Sequence, residues 1–418
     1  MTVLTAHDRP STTRLSPGIA GFTNWPILVA ALVLSAVGIL SIWADSRADG
    51  SLEGPKQLIY VCIGLMAMAA FQWIDYRRIG RFSWAIYLLA IGLIGYTLLG
   101  QVVSVPGVRG VKGAFNWIKF GSIGLQPAEL AKIGFVLVLA RYLRFRSNYR
   151  TLRGLLPPFA LCLLPVALIL KQPDLGTALI FIPTLFGMLF LAGARLSHLA
   201  AVVGLAIAVT PVLWFSGKHV ITDPITRLPE VCRQCPNLPV LNHAPMFVKH
   251  YQRQRVAAMF RNDREILAST GMQQHLSLIA MGSGGLSGKG AGVVPIGRKV
   301  PEGHNDMIFA LIGEQFGFFG SIVVVVAYLV IFIAGIEIAS NTREPFGRLI
   351  AVGVVVMLAS QTFLNLAVST KLMPVTGVTL PLVSYGGSSL VASFMAIGLL
   401  LNVGQNRPVV IANDPFEF

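Results

Sequence analysis

The chain has 418 residues, 54% of them hydrophobic and only 12% charged, with a formal net charge of +15 and a mean hydropathy of +0.70. A soluble domain carries roughly 25% charged residues, so this composition excludes an ordinary soluble enzyme. The positive charge raises nucleic acid as a partner. No basic helix with base-reading polar residues and no basic, aromatic-interleaved sheet pattern accompanies it, so no nucleic acid is expected.

The first 24 residues are polar, and the apolar stretch after them lacks a cleavage pattern, so it reads as a retained helix. A span needs about 20 mostly apolar residues. Segments that qualify are 25–44, 57–74, 82–100, 127–142, 155–171, 176–193, 197–215, 307–337, 348–368 and 385–403. The expected fold is an all-α integral membrane protein of about ten transmembrane helices with one large extracytoplasmic loop. Residues 1–24 and 404–418 are tails, 25–215 hold helices 1–7, 216–306 form the loop, and 307–403 hold helices 8–10. The eighth span is long enough to tilt or to project beyond the bilayer.

Basic residues set the orientation. Arg77, Arg78 and Arg81 crowd one short connection, and Arg141, Arg144, Arg146, Arg150 and Arg153 crowd another. Short loops rich in Arg and Lys stay on the cytoplasmic side, which places both termini in the cytoplasm of a multi-pass protein in a bacterial inner membrane. The 216–306 loop is then outside. It is too polar and too punctuated by Gly and Pro for one domain, but 251–281 has helical spacing and suits a helix along the membrane surface. Cys232 and Cys235 form a C-x-x-C there, read as a local disulfide or as half of a metal site, with His243 nearby. Cys62 and Cys162 sit in apolar runs as packing residues. No cytoplasmic segment is large enough to bind a nucleotide.

Ionisable groups at membrane depth are expensive and so mark candidate sites. Glu129 and Lys132 open the fourth span three residues apart, on one helical face. They read either as an ion pair joining helices or as one polar wall of a cavity. Asp174 is placed to cap the sixth span. Asp306 lies where the loop re-enters the bilayer. It reads as a helix cap or as a partly desolvated carboxylate whose pKa can rise towards a general base's range. Glu314, two turns on, is a supporting group.

Two glycine-rich runs add candidates. Gly282-Ser-Gly-Gly-Leu-Ser-Gly-Lys-Gly fails the Walker pattern at Ser283 and Gly290, yet its amides with Lys289 could cradle a phosphate. Ser384-Tyr-Gly-Gly-Ser-Ser, which includes Ser388, opens the last span. It suggests a broken helix lining a cavity, with Ser384 as a cap being the simpler reading. Arg253 and Arg255 add cations on the loop side. Cations, a carboxylate and apolar walls together suit a substrate with an anionic head and a lipid tail.

Six segments, in order, resemble the SEDS family (shape, elongation, division and sporulation), the RodA/FtsW group. They are Phe115-Asn-Trp-Ile, Leu125-Gln-Pro-Ala-Glu-Leu-Ala-Lys, Gln172-Pro-Asp-Leu-Gly-Thr-Ala, Ser277-Leu-Ile-Ala-Met-Gly-Ser-Gly-Gly-Leu, His304-Asn-Asp-Met-Ile-Phe-Ala-Leu-Ile-Gly-Glu, and Pro374-Val-Thr-Gly-Val-Thr-Leu-Pro-Leu-Val-Ser-Tyr-Gly-Gly-Ser-Ser. The resemblance implies an inverting peptidoglycan glycosyltransferase that polymerises lipid II during elongation or division. In it Asp306 matches the essential loop carboxylate, and Glu129 and Lys132 match the cavity-lining pair. It also implies a class B penicillin-binding protein as partner, and undecaprenyl-pyrophosphate-linked glycan as the growing chain. Arg255, Lys289, Ser384 and Ser388 are the further substrate-binding candidates. The departing pyrophosphate would be neutralised by these cations or by Mg2+ or Mn2+. Ala128 stands where the family usually has Ser, Ser369-Thr370 where a Gly is common, and 217–250 is longer than the family norm. A lipid-linked precursor flippase and a non-catalytic scaffold are the competing readings.

Overall fold

The computed structural model describes residues 25–108, 110, 115–121, 123–146, 148–215, 220–222, 229–231, 250–260 and 271–406. Residues 1–24 and 407–418, Cys232, Cys235 and His243 lie outside them. In chain order the elements begin with α1 (Trp25–Asp49), α2 (Glu53–Trp73), the short α3 (Tyr76–Arg81) and α4 (Ser83–Leu99). An antiparallel hairpin of β1 (Ile118–Phe120) and β2 (Ile123–Leu125), with Ile118 opposite Leu125, leads into α5 (Pro127–Phe145). Then come α6 (Leu156–Lys171), α7 (Leu175–Ala192) and α8 (Leu196–Phe215). A second antiparallel pair, β3 (Val220–Thr222) and β4 (Pro229–Val231), precedes α9 (His250–Phe260) and α10 (Met272–Ser283). The chain closes with α11 (Ile308–Asn341), α12 (Pro345–Ser369) and α13 (Gly387–Gln405).

The fold is an all-α membrane architecture, and each of the expected apolar segments coincides with a helix. Among the described residues, seven helices are long and apolar enough to cross a membrane: α1, α2, α6 with its preceding turn, α7, α11, α12 and α13. Ser83–Leu99 and Leu196–Val212 are apolar but shorter, and α5 carries Glu129, Lys132, Arg141 and Arg144. Two boundaries shift. The second helix starts at Glu53, bringing Lys56 into its first turn, and 251–281 is two helices, α9 and α10, with 261–270 outside the described residues. The long eighth helix is broken at Gly317 (φ 65°, ψ −157°), so its first two turns are separate from the stretch that follows.

Burial ranks the helices. Of their most apolar stretches, 78% of α13 and 67% of α12 is buried, against 28% of α2, so α12 and α13 form the centre. α13 packs along α2 and also against α12 and α5, while α11 packs on α1 and α12. Asn402 of α13 ties the end of α2 in place. Its Nδ2 donates to the carbonyls of Phe71 (2.7 Å), Gln72 (3.0 Å) and Ile74 (2.7 Å), and its Oδ1 accepts from Tyr76 N at 2.9 Å. A helix leaves its last carbonyls unpaired, and without water such groups cost several kcal/mol each. At this same end Arg141 donates to the Gly80 carbonyl, and Arg144 pairs with Glu344 at 3.2 Å.

Candidate active site around Asp306

Asp306 is half-buried and lies two residues before α11. It does not cap that helix: Met307 holds the cap position and no side chain bonds there. The turn before it is tight, with the Asn305 and Asp306 amides donating to the Glu302 carbonyl (3.0 and 3.1 Å). Three successive carbonyls of this turn accept bonds from distant segments. His304 O takes Tyr385 N at 2.9 Å, Asn305 O takes Ser384 Oγ at 2.6 Å, and Asp306 O takes Asn365 Nδ2 at 2.8 Å. The carboxylate faces Gly377, where a Cβ would stand 3.6 Å from Asp306 Oδ2. Arg255 reaches the same segment, donating from Nη1 to Val375 O at 3.0 Å.

On the other side of the turn, His304 joins it to α1 and α2. His304 Nε2 lies 3.0 Å from Asp45 Oδ2 and 3.6 Å from Glu53 Oε2, and Arg298 Nε lies 2.7 Å from Asp45 Oδ1. Asp45 is nearly fully buried, so its charge requires these partners.

Glu129 and Lys132 form a buried pair, 2.9 Å apart, and Lys132 Nζ also donates to Gln361 Oε1 of α12 at 2.7 Å. The space they line with Ile133, Met357, Leu358, Gln361, Ala392 and Ser393 leaves no room for a water molecule. They join α5 to α12. Asp174 caps α7 by accepting from Thr177 N at 3.0 Å, and Gln126 Nε2 donates to its Oδ2 at 3.1 Å. Burial pushes the Asp174 carboxyl above its ordinary range, while the Thr177 donors pull it back.

The serines of the last motif act as stitches. Ser384 does not cap α13, which begins at Gly387 behind Gly386. Its hydroxyl accepts from Leu380 N at 2.7 Å while donating to Asn305 O. Ser388 Oγ accepts Gln126 N at 3.0 Å, fastening the start of α5, and Ser389 Oγ lies 2.7 Å from Thr379 Oγ1.

The glycine-rich run 282–292 also meets protein, in a way that follows from the break in α11. Phe318 N and Phe319 N, past the break, donate to Gly285 O (2.9 Å) and Leu286 O (3.2 Å). Gly290 N returns a bond to Gln315 O at 3.0 Å. Gly288 (φ +80°) approaches so closely that a Cβ would fall 2.1 Å from Gln315 O. Lys289 Nζ sits 2.6 Å from both Glu314 Oε1 and Ser283 Oγ. Its position is beside Glu314.

Sequence reading missed Asp45, Gln361 and Asn365. The last two are amides one helical turn apart inside an apolar span. That signal was legible, because an amide in hydrocarbon needs a partner.

Residues 23–408 match the sequence profile of the cell cycle proteins FtsW, RodA and SpoVE. The chain belongs to this family. Among FtsW/RodA/SpoVE relatives, the probable peptidoglycan glycosyltransferase FtsW of Geobacter metallireducens is 34% identical, covering 90% of this chain and 93% of that one. The stage V sporulation protein E of Bacillus subtilis is 32% identical (91% and 96%), and the peptidoglycan glycosyltransferase MrdB of Escherichia coli K12 is 32% identical (92% and 93%). The fold is likewise shared. A solved chain from a peptidoglycan synthase complex that coordinates polymerization and crosslinking superimposes with a TM-score of 0.71 at 27% identity, over 92% of this chain and 98% of that one. The rod shape determining protein RodA of Thermus thermophilus gives 0.60 at 25% identity, over 92% and 97%.

Proposed function

We propose that this peptidoglycan glycosyltransferase polymerises lipid II with Asp306 as its general base. The carrying observation is the placement of that side chain. It is a half-buried carboxylate where the chain enters α11, on a turn held at three successive carbonyls, with Gly377 against it. A carboxylate placed within reach of a substrate hydroxyl is suited to take its proton.

In this mechanism Asp306 takes the proton from the 4-hydroxyl of the acceptor's N-acetylglucosamine. The freed oxygen attacks the anomeric carbon of the donor's N-acetylmuramic acid from the face opposite the leaving group. The bond to the pyrophosphate oxygen breaks, and undecaprenyl pyrophosphate departs with the electron pair. Arg255, beside the 375–377 segment, is suited to offset the growing negative charge. Among the described residues no three His, Cys, Asp or Glu side chains gather as a metal cage. A divalent ion such as Mg2+ or Mn2+ would be held chiefly by the substrate's own phosphates, keeping most of its waters, and would supply charge neutralisation.

Two ends of the bundle support the proposed orientation. His304 of the Asp306 turn lies near Glu53 at the start of α2, whereas Arg77, Arg78 and Arg81 follow its other end, where Arg141 and Arg144 meet Gly80 and Glu344. Putting that end in the cytoplasm leaves Asp306 and the 216–306 loop outside the bacterial inner membrane, where lipid II presents its sugars. A class B penicillin-binding protein, which crosslinks new glycan, is the proposed partner.

The test is polymerisation of lipid II by the full-length protein purified with its transpeptidase, with Asp306→Asn as control. Glycan chains from the wild type and none from the variant are expected. A variant that still polymerises would overturn the assignment of the base. Lipid II translocation without polymer would replace the reading with a flippase.

A further inference from the structure

We infer that Asn365 and Ser384 are positioning residues, which fix the Asp306 carboxylate by holding the backbone it stands on. The inference rests on the reading of Asp306 as the base. Asn365 is 1% exposed within α12, and both bonds from its Nδ2 go to carbonyls: Asp306 O at 2.8 Å and Val378 O at 2.7 Å. One amide therefore sets the distance between the turn bearing Asp306 and the 376–380 segment whose Gly377 meets the carboxylate. One turn earlier, Gln361 holds the neighbouring carbonyl, Thr379 O, at 3.0 Å. The polar face of α12 is thus a ruler against which this segment is laid.

Ser384 acts on the adjacent carbonyl. It is 3% exposed. Its single hydroxyl proton is engaged by Asn305 O at 2.6 Å, and Leu380 N occupies one of its lone pairs at 2.7 Å. No proton is left to donate to a sugar or phosphate. Its influence on the reaction passes through the turn. With Tyr385 N on His304 O, peptide planes 304, 305 and 306 are each pinned. A turn pinned at one plane can still rotate about its neighbours; pinned at three it cannot. A misplacement of about 1 Å at a reacting group lowers the rate by on the order of 10²-fold.

The test measures kcat and KM for lipid II separately, on the full-length protein purified with its transpeptidase, for Asn365→Leu, Ser384→Ala and Asp306→Asn. Thermal midpoints are recorded in parallel. Ser384→Ala removes one oxygen and is expected to fold; it decides the matter if Asn365→Leu does not. The expected result is a fall in kcat on the order of 10²-fold for Asn365→Leu and about 10-fold for Ser384→Ala, with KM within about twofold and the midpoint of Ser384→Ala close to wild type. A raised KM with unchanged kcat would make Ser384 a substrate ligand and overturn the inference. An unchanged kcat would overturn it too, as would a loss that merely tracks a lowered midpoint. Activity retained by Asp306→Asn would instead defeat the general-base reading itself.

Discussion

Glu314 and Asp306 stand eight residues apart around the start of one helix, and their surroundings give them different work. Glu314 is fully buried. Its Oε1 meets Lys289 Nζ at 2.6 Å and Ile296 N at 3.2 Å, and its Oε2 accepts Gly297 N at 2.7 Å. Asp306 is half-buried, and it is its backbone carbonyl that Asn365 holds. A carboxylate surrounded by donors is locked as a charged structural strut. The proposed base is instead half-buried at the mouth of the helix, on a turn held at its backbone carbonyls.

Substitution separates the two. Asp306→Asn should lower lipid II polymerisation by about 10²-fold or more while leaving the thermal midpoint near wild type. A matching loss of stability would erase the contrast. Lys289→Met should do the reverse. It leaves Glu314 buried without its cation, at a cost of about 2–4 kcal/mol, read as a lower midpoint, with kcat measured at low temperature nearly intact. A rise in KM instead would return Lys289 to phosphate binding.

Gly288→Ala tests the same brace from its backbone. A side chain at φ +80°, 2.1 Å from Gln315 O, should cost about 1–3 kcal/mol of stability. Ser388→Ala should cost about 1 kcal/mol, by leaving Gln126 N without its acceptor, and should not change KM.

The smallest effect concerns Asp174. Its carboxyl is raised above the ordinary 3.8 by burial, so the folded protein binds its proton more readily than the unfolded chain. Stability from this group is then present below the unfolded pKa and falls as pH rises from there through the folded pKa. Asp174→Asn keeps a capping oxygen and should flatten that part of the midpoint's pH dependence. An unaltered slope would place the carboxyl back in its ordinary range.

The spans were legible because a bilayer demands long apolar runs, and α1, α7 and α12 fall where hydropathy put them. Asp306 was legible because a carboxylate at the membrane edge needs a reason. Its partners were not: Asn365, Ser384 and Tyr385 lie about sixty to eighty residues from the turn they hold, and no local pattern encodes such pairing. The glycine-rich run around Lys289 was ambiguous for a related reason. Glycine permits close approach to a phosphate and to another backbone equally, and the partner here is the broken start of α11.

By itself, then, the sequence determined the membrane, the places of the apolar helices, and Asp306 as the candidate acid. Each of these is a local property, set by the solvation of a side chain or of a short run. Only the tertiary structure decided which polar groups serve that acid. Buried amides and hydroxyls must find partners wherever packing brings them, and packing joins segments that the chain keeps far apart.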